Sequence, residues 1–258
     1  MRQAGLLVWR AHEEVSKIIR PGVTTAEIDT VVRELFAEHN AVPLFKNYPN
    51  TEKGKPPFPA CTCTSVNEVV VHGIPNNTPL KEGDIVSVDT GARFNGWCGD
   101  AAVTYRIGEV SPAVDRLVRI TEETFFLAYK LMSTKTRWSQ IAVEMSRFVR
   151  DHGYSTVECF VGHGIGRQMH EEPQVPNFLS RNLRGQGDFR IEPGLVIAVE
   201  PMVNMGTKKV KLLKDHWTQI TTDKKPSAHY EHTIAVTRDG PRLLTEAPTP
   251  AEMELVLA

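Results

Sequence analysis

Apolar positions at helical spacing open the chain and run to Pro21-Gly22, whose proline and glycine stop the pattern. Thr24-Thr25-Ala26-Glu27 then supplies a polar cap with a glutamate at its third helical position. Ile28, Val31, Val32 and Leu35 follow at helical spacing, which predicts a second helix to about Asn40. Prolines 43, 49, 56, 57 and 59, with Gly54, predict an irregular loop, either a connector or the wall of a site. Residues 85–93 and 97–107 read as two strands joined at Asn95-Gly96, a two-residue hairpin signal. Ser111-Pro112 starts a helix to about Met132, and another runs from about Arg137 to His152 with Gly153 as its cap. Residues 195–199 and 229–237 are strand-like in their β-branched content.

The hairpin fixes a register. If Phe94 faces Trp97 across the turn, Asp89 faces Ala102 and Asp100 faces Gly91. The two aspartates then share a face as diagonal neighbours, roughly 7–8 Å apart at the backbone, a gap their carboxylates can close through a cation. The two halves of the chain also echo each other. Gly83 and Gly194 each precede, by six residues, an acid at the end of an apolar stretch, Asp89 and Glu200. The tripeptide His-Gly-Ile occurs at His72 and again at His163. An internal duplication follows, with one site built where similar halves meet.

Asp89, Asp100, His163, Glu200 and Glu231 are residue types that ligate metals, and each lies in or beside a predicted strand or glycine-rich turn. Ionised carboxylates converging in an interior cavity repel one another and lose hydration, so such a cluster implies bound cations, protonation or both. Two divalent ions and one hydroxide against four carboxylates leave about one net negative charge. Four carboxylates and an imidazole form a hard, oxygen-rich set that suits manganese, iron(II) or cobalt, with zinc also possible.

Composition narrows the alternatives. With 258 residues, 41% hydrophobic and 24% charged, the chain is expected to form one domain, residues 1–258, with a substantial core. A net charge of -1 offers no footprint for nucleic acid. No membrane span or secretory signal is read, so Cys61, Cys63, Cys98 and Cys159 are expected to be reduced thiols of a cytoplasmic protein. Gly162-His163-Gly164-Ile165-Gly166 is not a dinucleotide loop, and HExxH, P-loop and G-x-S-x-G motifs are missing.

His72-Gly73-Ile74-Pro75, Asp89, Asp100, Gly162 to Arg167, His170-Glu171-Glu172-Pro173, Glu200-Pro201-Met202 and Tyr230-Glu231-His232-Thr233 together resemble type I methionine aminopeptidase, over nearly the whole chain. The resemblance implies an α/β (α+β) pita-bread fold, in which pseudo-twofold duplicated halves form a curved antiparallel sheet covered by helices. It implies a dinuclear metallohydrolase that removes the initiator methionine of nascent polypeptides before a small second residue. It assigns Asp89, Asp100, His163, Glu200 and Glu231 as metal ligands, with Asp100 and Glu231 bridging. Glu200 would also shuttle protons, and His72 and His170 would hold the scissile carbonyl. Phe58, Cys63, Met169 and Trp217 align with the methionine pocket, with Phe45 a further candidate, although Met169 stands where an aromatic residue is expected. The loop at 48–58 is longer than the shortest bacterial versions.

Two rivals stand beside this reading. An Xaa-Pro peptidase shares the fold but usually carries an extra N-terminal domain, and only about 80 residues precede Gly83. A noncatalytic binding module of the fold would have no use for five ligand types and two further histidines. Lys208, Lys209, Lys211 and Lys214 read by default as a solvated hairpin face, with ribosome docking an open alternative. A monomer is expected.

Overall fold

Helices α1 (Arg2–Ile18) and α2 (Thr25–Glu38) form where the apolar spacing predicts them in the computed structural model, which describes residues 1–252. The α2 cap is complete: the Glu27 amide donates to Thr24 Oγ1, and the Thr24 amide donates back to Glu27 Oε2 at 2.7 Å. Strands β1 (Val42–Pro43), β2 (Thr62–Val66), β3 (Val69–Val71), β4 (Ile85–Phe94) and β5 (Trp97–Arg106) follow. Helices α3 (Pro112–Leu131) and α4 (Trp138–Asp151) precede β6 (Ser155–Thr156), β7 (Gly162–Gly164), β8 (Glu171–Val175), β9 (Val196–Val199) and β10 (Met202–Asn204). The chain continues through β11 (Val210–Leu212), β12 (Gln219–Thr221), β13 (Ser227–His229), β14 (Glu231–Thr237) and β15 (Gly240–Leu243).

One nine-stranded antiparallel sheet runs β1-β4-β5-β14-β9-β7-β8, with β2 added to β4 and β15 to β14. Its middle pair, β5 and β14, joins two similar halves. In the first, Val8, Ala11 and Val15 of α1 and Ile28 and Val32 of α2 belong to one core cluster with Val86, Val88, Ala92 and Ala101 of β4 and β5. In the second, Phe125 of α3 and Ile141 and Met145 of α4 cluster with Ile197, Val199, Ile234 and Val236 of β9 and β14. Each Val, Ile, Met or Phe among them contributes roughly 1.5–3 kcal/mol by leaving water. Because strand side chains alternate, residues between these apolar ones project from the opposite face, away from the helices.

The β4–β5 register is the one the hairpin predicts, Phe94 opposite Trp97, with Asn95 and Gly96 both at positive φ as the two-residue turn requires. One expectation needs correction. The stretch 229–237 is not one strand: β13 pairs with β10 in a separate three-stranded sheet, and β14 starts only after Tyr230. Pro201 breaks the facing chain between β9 and β10, and its carbonyl accepts from the Tyr230 amide, so both chains change sheets together. The repeated His-Gly-Ile also differs between halves, since His163 lies in β7 whereas His72 follows β3 at φ 58°. No described helix is long and apolar enough to cross a membrane, and all four cysteines are free.

His12 of α1 sits in the first core. One ring nitrogen lies 3.1 Å from Tyr105 Oη and the other donates to the Ala101 carbonyl at 3.1 Å. Burial lowers its pKa from 6.5 to about 4. Between those values the unfolded chain binds more protons than the folded one, so stability falls as pH drops from about 6.5 towards 4. Wild type is expected to lose up to about 3 kcal/mol more over that range than His12→Gln, as read by urea unfolding. Equal losses would show that His12 does not titrate with folding.

Candidate metal centre and substrate pocket

Strand register assembles the ligand types in two rows. Across one row, Cys63 of β2 pairs with Asp89 of β4, Asp89 with Ala102 of β5, and Ala102 with Glu231 of β14. Continuing the β14–β9 register one residue beyond His232 and Val199 brings Glu200 beside Glu231. Across the other row, Gly91 pairs with Asp100, while Thr233 pairs with Ala198 and Ala198 with His163. Reciprocal bonds join Asp100 to Thr233: the Asp100 amide donates to Thr233 Oγ1 at 3.0 Å, and that hydroxyl donates to the Asp100 carbonyl at 2.9 Å. Paired residues share a face, so all five ligand types project from the side the helices leave open. Small residues between them leave room for the carboxylates. A Cβ on Gly91 would stand 2.9 Å from Asp100 Oδ1, and one on Gly164 would strike the Glu172 carbonyl.

His163 is oriented as a ligand. Its Nδ1–H donates to the Gly164 carbonyl at 2.9 Å, which leaves the Nε2 lone pair facing Asp100 Oδ2 at 4.0 Å and Glu200 Oε1 at 3.8 Å. Burial first, then His170, lowers its pKa to about 4, so the ring is neutral near pH 7. The acids respond oppositely. Burial first and then Asp100 hold Asp89, Glu200 and Glu231 well above the usual carboxylate range, and burial lifts Asp100 to about 7. Asp89 Oδ1, Asp100 Oδ1 and Glu231 Oε1 are buried with no hydrogen-bond partner among protein atoms. Such atoms and mutually repelling acids fit divalent cations, which would return the lost charge stabilisation. Asp100, His163 and Glu231 each offer one ligand atom within 4.8 Å of the others, as do Glu200, His229 and Glu231.

These five residues and His72, His170, Phe58, Cys63, Met169 and Trp217 all line one cavity of about 590 Å³, with Phe45 beside them. Phe45, Phe58, Cys63 and Met169 form a separate apolar cluster with Trp217 packed against it, and Phe58 meets Trp217 edge-on at 5.3 Å. Burial, then the charge of Asp89, pushes the Cys63 thiol well up, so it remains a neutral wall atom rather than a thiolate. The proline-rich loop is indeed a wall. Its Pro56 carbonyl accepts from Trp217 Nε1 at 3.0 Å, and Asn50 Nδ2 donates to the His216 carbonyl at 3.0 Å. From the same loop, Tyr48 Oη lies 2.7 Å from His170 Nδ1.

A sequence profile of metallopeptidase family M24 matches residues 1–238. The chain is 44% identical over 245 residues to methionine aminopeptidase of Clostridium perfringens, covering 95% of this chain and 94% of the relative. The chain belongs to metallopeptidase family M24. The crystal structure of methionine aminopeptidase from Thermotoga maritima superposes with a TM-score of 0.88 at 40% identity, covering 96% of this chain and 95% of that one. Prolidase from Pyrococcus furiosus, at 18% identity and a TM-score of 0.73, shares the fold alone, and the match spans 63% of its chain. This M24 chain thus has the pita-bread architecture and is a metal-dependent hydrolase.

Two residues around the candidate centre were not singled out from the sequence. Tyr48 lies in a loop whose conformation local propensity does not specify, so its bond to His170 has no sequence signal. His229 had one. It stands two residues before Glu231, the spacing that puts side chains on one strand face, but the change of sheet at Tyr230 obscures it. The neighbouring His232 turns into the helix-side core, where Nδ1 lies 2.7 Å from Thr245 Oγ1 and the ring packs 5.2 Å from Phe125.

Proposed function

We propose that this M24 enzyme removes the N-terminal methionine from nascent polypeptides, preferring a small second residue. It would act as a single catalytic domain, monomeric and cytoplasmic, with two divalent ions. The observation that carries this reading is the junction of pocket and ligand set: Cys63 of the apolar cluster pairs directly with Asp89. An unbranched thioether suits such a soft wall, and the adjoining acids face the scissile bond.

Asp89, Asp100, His163, Glu200 and Glu231 would hold the ions. Bound there, dications of the manganese, iron(II), cobalt or zinc type supply a water-derived nucleophile near neutral pH and polarise the carbonyl. The remaining work falls to the chain. Glu200, in the cavity wall, moves a proton to the departing amine. With Tyr48 donating to His170 Nδ1, His170 keeps its proton on Nε2 and presents it to the developing oxyanion. His72, held edge-on between Phe160 and Trp217 at 5.3 and 6.3 Å, contacts the carbonyl from the other side. The apolar cluster excludes water from the methionine side chain.

Metal-loaded enzyme is expected to cleave a Met-Ala peptide and leave an Ala-Pro peptide intact. Exclusive cleavage of the proline substrate would replace this reading with the Xaa-Pro one. A folded, metal-titrated protein cleaving neither would favour a binding module.

A further inference from the structure

A second imidazole faces the carboxylates from behind the cavity. His229 is 2% exposed and ends β13, opposite Met202 of β10. Its Nε2 lies 3.7 Å from Glu200 Oε2 and 3.9 Å from Glu231 Oε2, too far for hydrogen bonds, and has no partner among protein atoms. The ring does not line the cavity, so it does not meet substrate. Its backbone is clamped: the His229 amide donates to Thr104 Oγ1 at 2.9 Å, and that hydroxyl donates to the His229 carbonyl at 2.7 Å.

The two imidazoles divide one carboxylate between them. His163 faces Glu200 Oε1 and His229 faces Glu200 Oε2. Their tautomers differ in what fixes them. The Gly164 carbonyl takes the Nδ1 proton of His163 and leaves a lone pair on Nε2. Among the described residues no acceptor bonds His229 Nδ1, whereas two carboxylate oxygens face its Nε2. A carboxylate oxygen accepts, so the His229 proton belongs on Nε2.

We infer that His229 is a positioning residue whose Nε2–H holds Glu200 Oε2, leaving Oε1 alone to face the ion site and the substrate. A shift of under about 1 Å converts the observed gap into a charge-assisted hydrogen bond. This rests on the reading of Glu200 as a metal ligand. It makes His229 the residue that sets which Glu200 oxygen ligates and which way the carboxylate points.

The test compares His229→Leu, which removes the donor, with His229→Gln, whose amide N–H reaches a similar point. Stripped protein is titrated with manganese(II) alone by calorimetry, and kcat is measured on a Met-Ala peptide. His229→Leu is expected to bind as many ions as wild type with affinity about 10–100-fold weaker, and to lose turnover comparably. His229→Gln is expected within about threefold of wild type on both. Should His229→Leu not fold, His229→Asn, whose amide falls one carbon short, is expected to show the same loss. Wild-type behaviour in the leucine or asparagine variant would overturn the inference. So would a glutamine variant that binds one ion fewer, which would make His229 a ligand. Both outcomes leave the metal-centre reading standing. A wild-type protein that binds no manganese removes that reading, and this inference with it.

Discussion

Glu231→Gln is expected to lower kcat/KM by at least about 10³-fold while raising the melting temperature of the metal-free protein. Glu231 is 2% exposed, its Oε1 lacks a partner, and burial, Asp100, Glu200 and Asp89 together oppose its ionisation. Neutralising it relieves that repulsion in the stripped protein and, on the proposed reading, removes a metal-ligating charge from the loaded one. Saturating metal should stabilise wild type by about 4 kcal/mol at a thousandfold excess over Kd. That corresponds to roughly 10 °C for a chain of this size. Calorimetric melts with and without metal read both effects at once. If metal raised the variant's melting temperature as far as wild type's, the carboxylates would not share their ions.

His170→Ala is expected to cost about 10²–10³-fold in kcat, the loss typical of one oxyanion donor, without changing the number of ions bound. His170 packs 4.4 Å from His163 yet points Nδ1 at Tyr48, so that nitrogen is engaged away from the carboxylate cluster. Tyr48→Phe removes only the bond that orients the ring, worth about 1 kcal/mol, and should slow turnover about fivefold. Steady-state kinetics beside a metal titration separate the roles. Loss of an ion in His170→Ala would move that residue into the ligand set, and an unaltered Tyr48→Phe would strip the contact of its function.

Much of the site was legible because it is written in strand periodicity. Asn95-Gly96 sets the hairpin register, the register sets Asp89 diagonal to Asp100, and two apolar stretches end in an acid at matching distances. The methionine pocket was less legible. Phe58, Cys63, Met169 and Trp217 come from four separate segments, and only the resemblance connected them before the structure placed them around one cavity. Phe45 belongs there too, carried by the proline-rich loop.

The sequence by itself determined the helices, the hairpin and which acids and histidine are of ligand type beside predicted strands, since each depends on local spacing and on side-chain chemistry. Only the tertiary structure decided how the two halves meet at β5 and β14, where Ala102 comes to lie between Asp89 and Glu231. It also decided the break at Pro201 and Tyr230 that turns His229 towards Glu200 and sends His232 into the core. The physical reason is that strand pairing between residues more than 100 positions apart follows from packing both sheet halves against their helices, and no local pattern records that register.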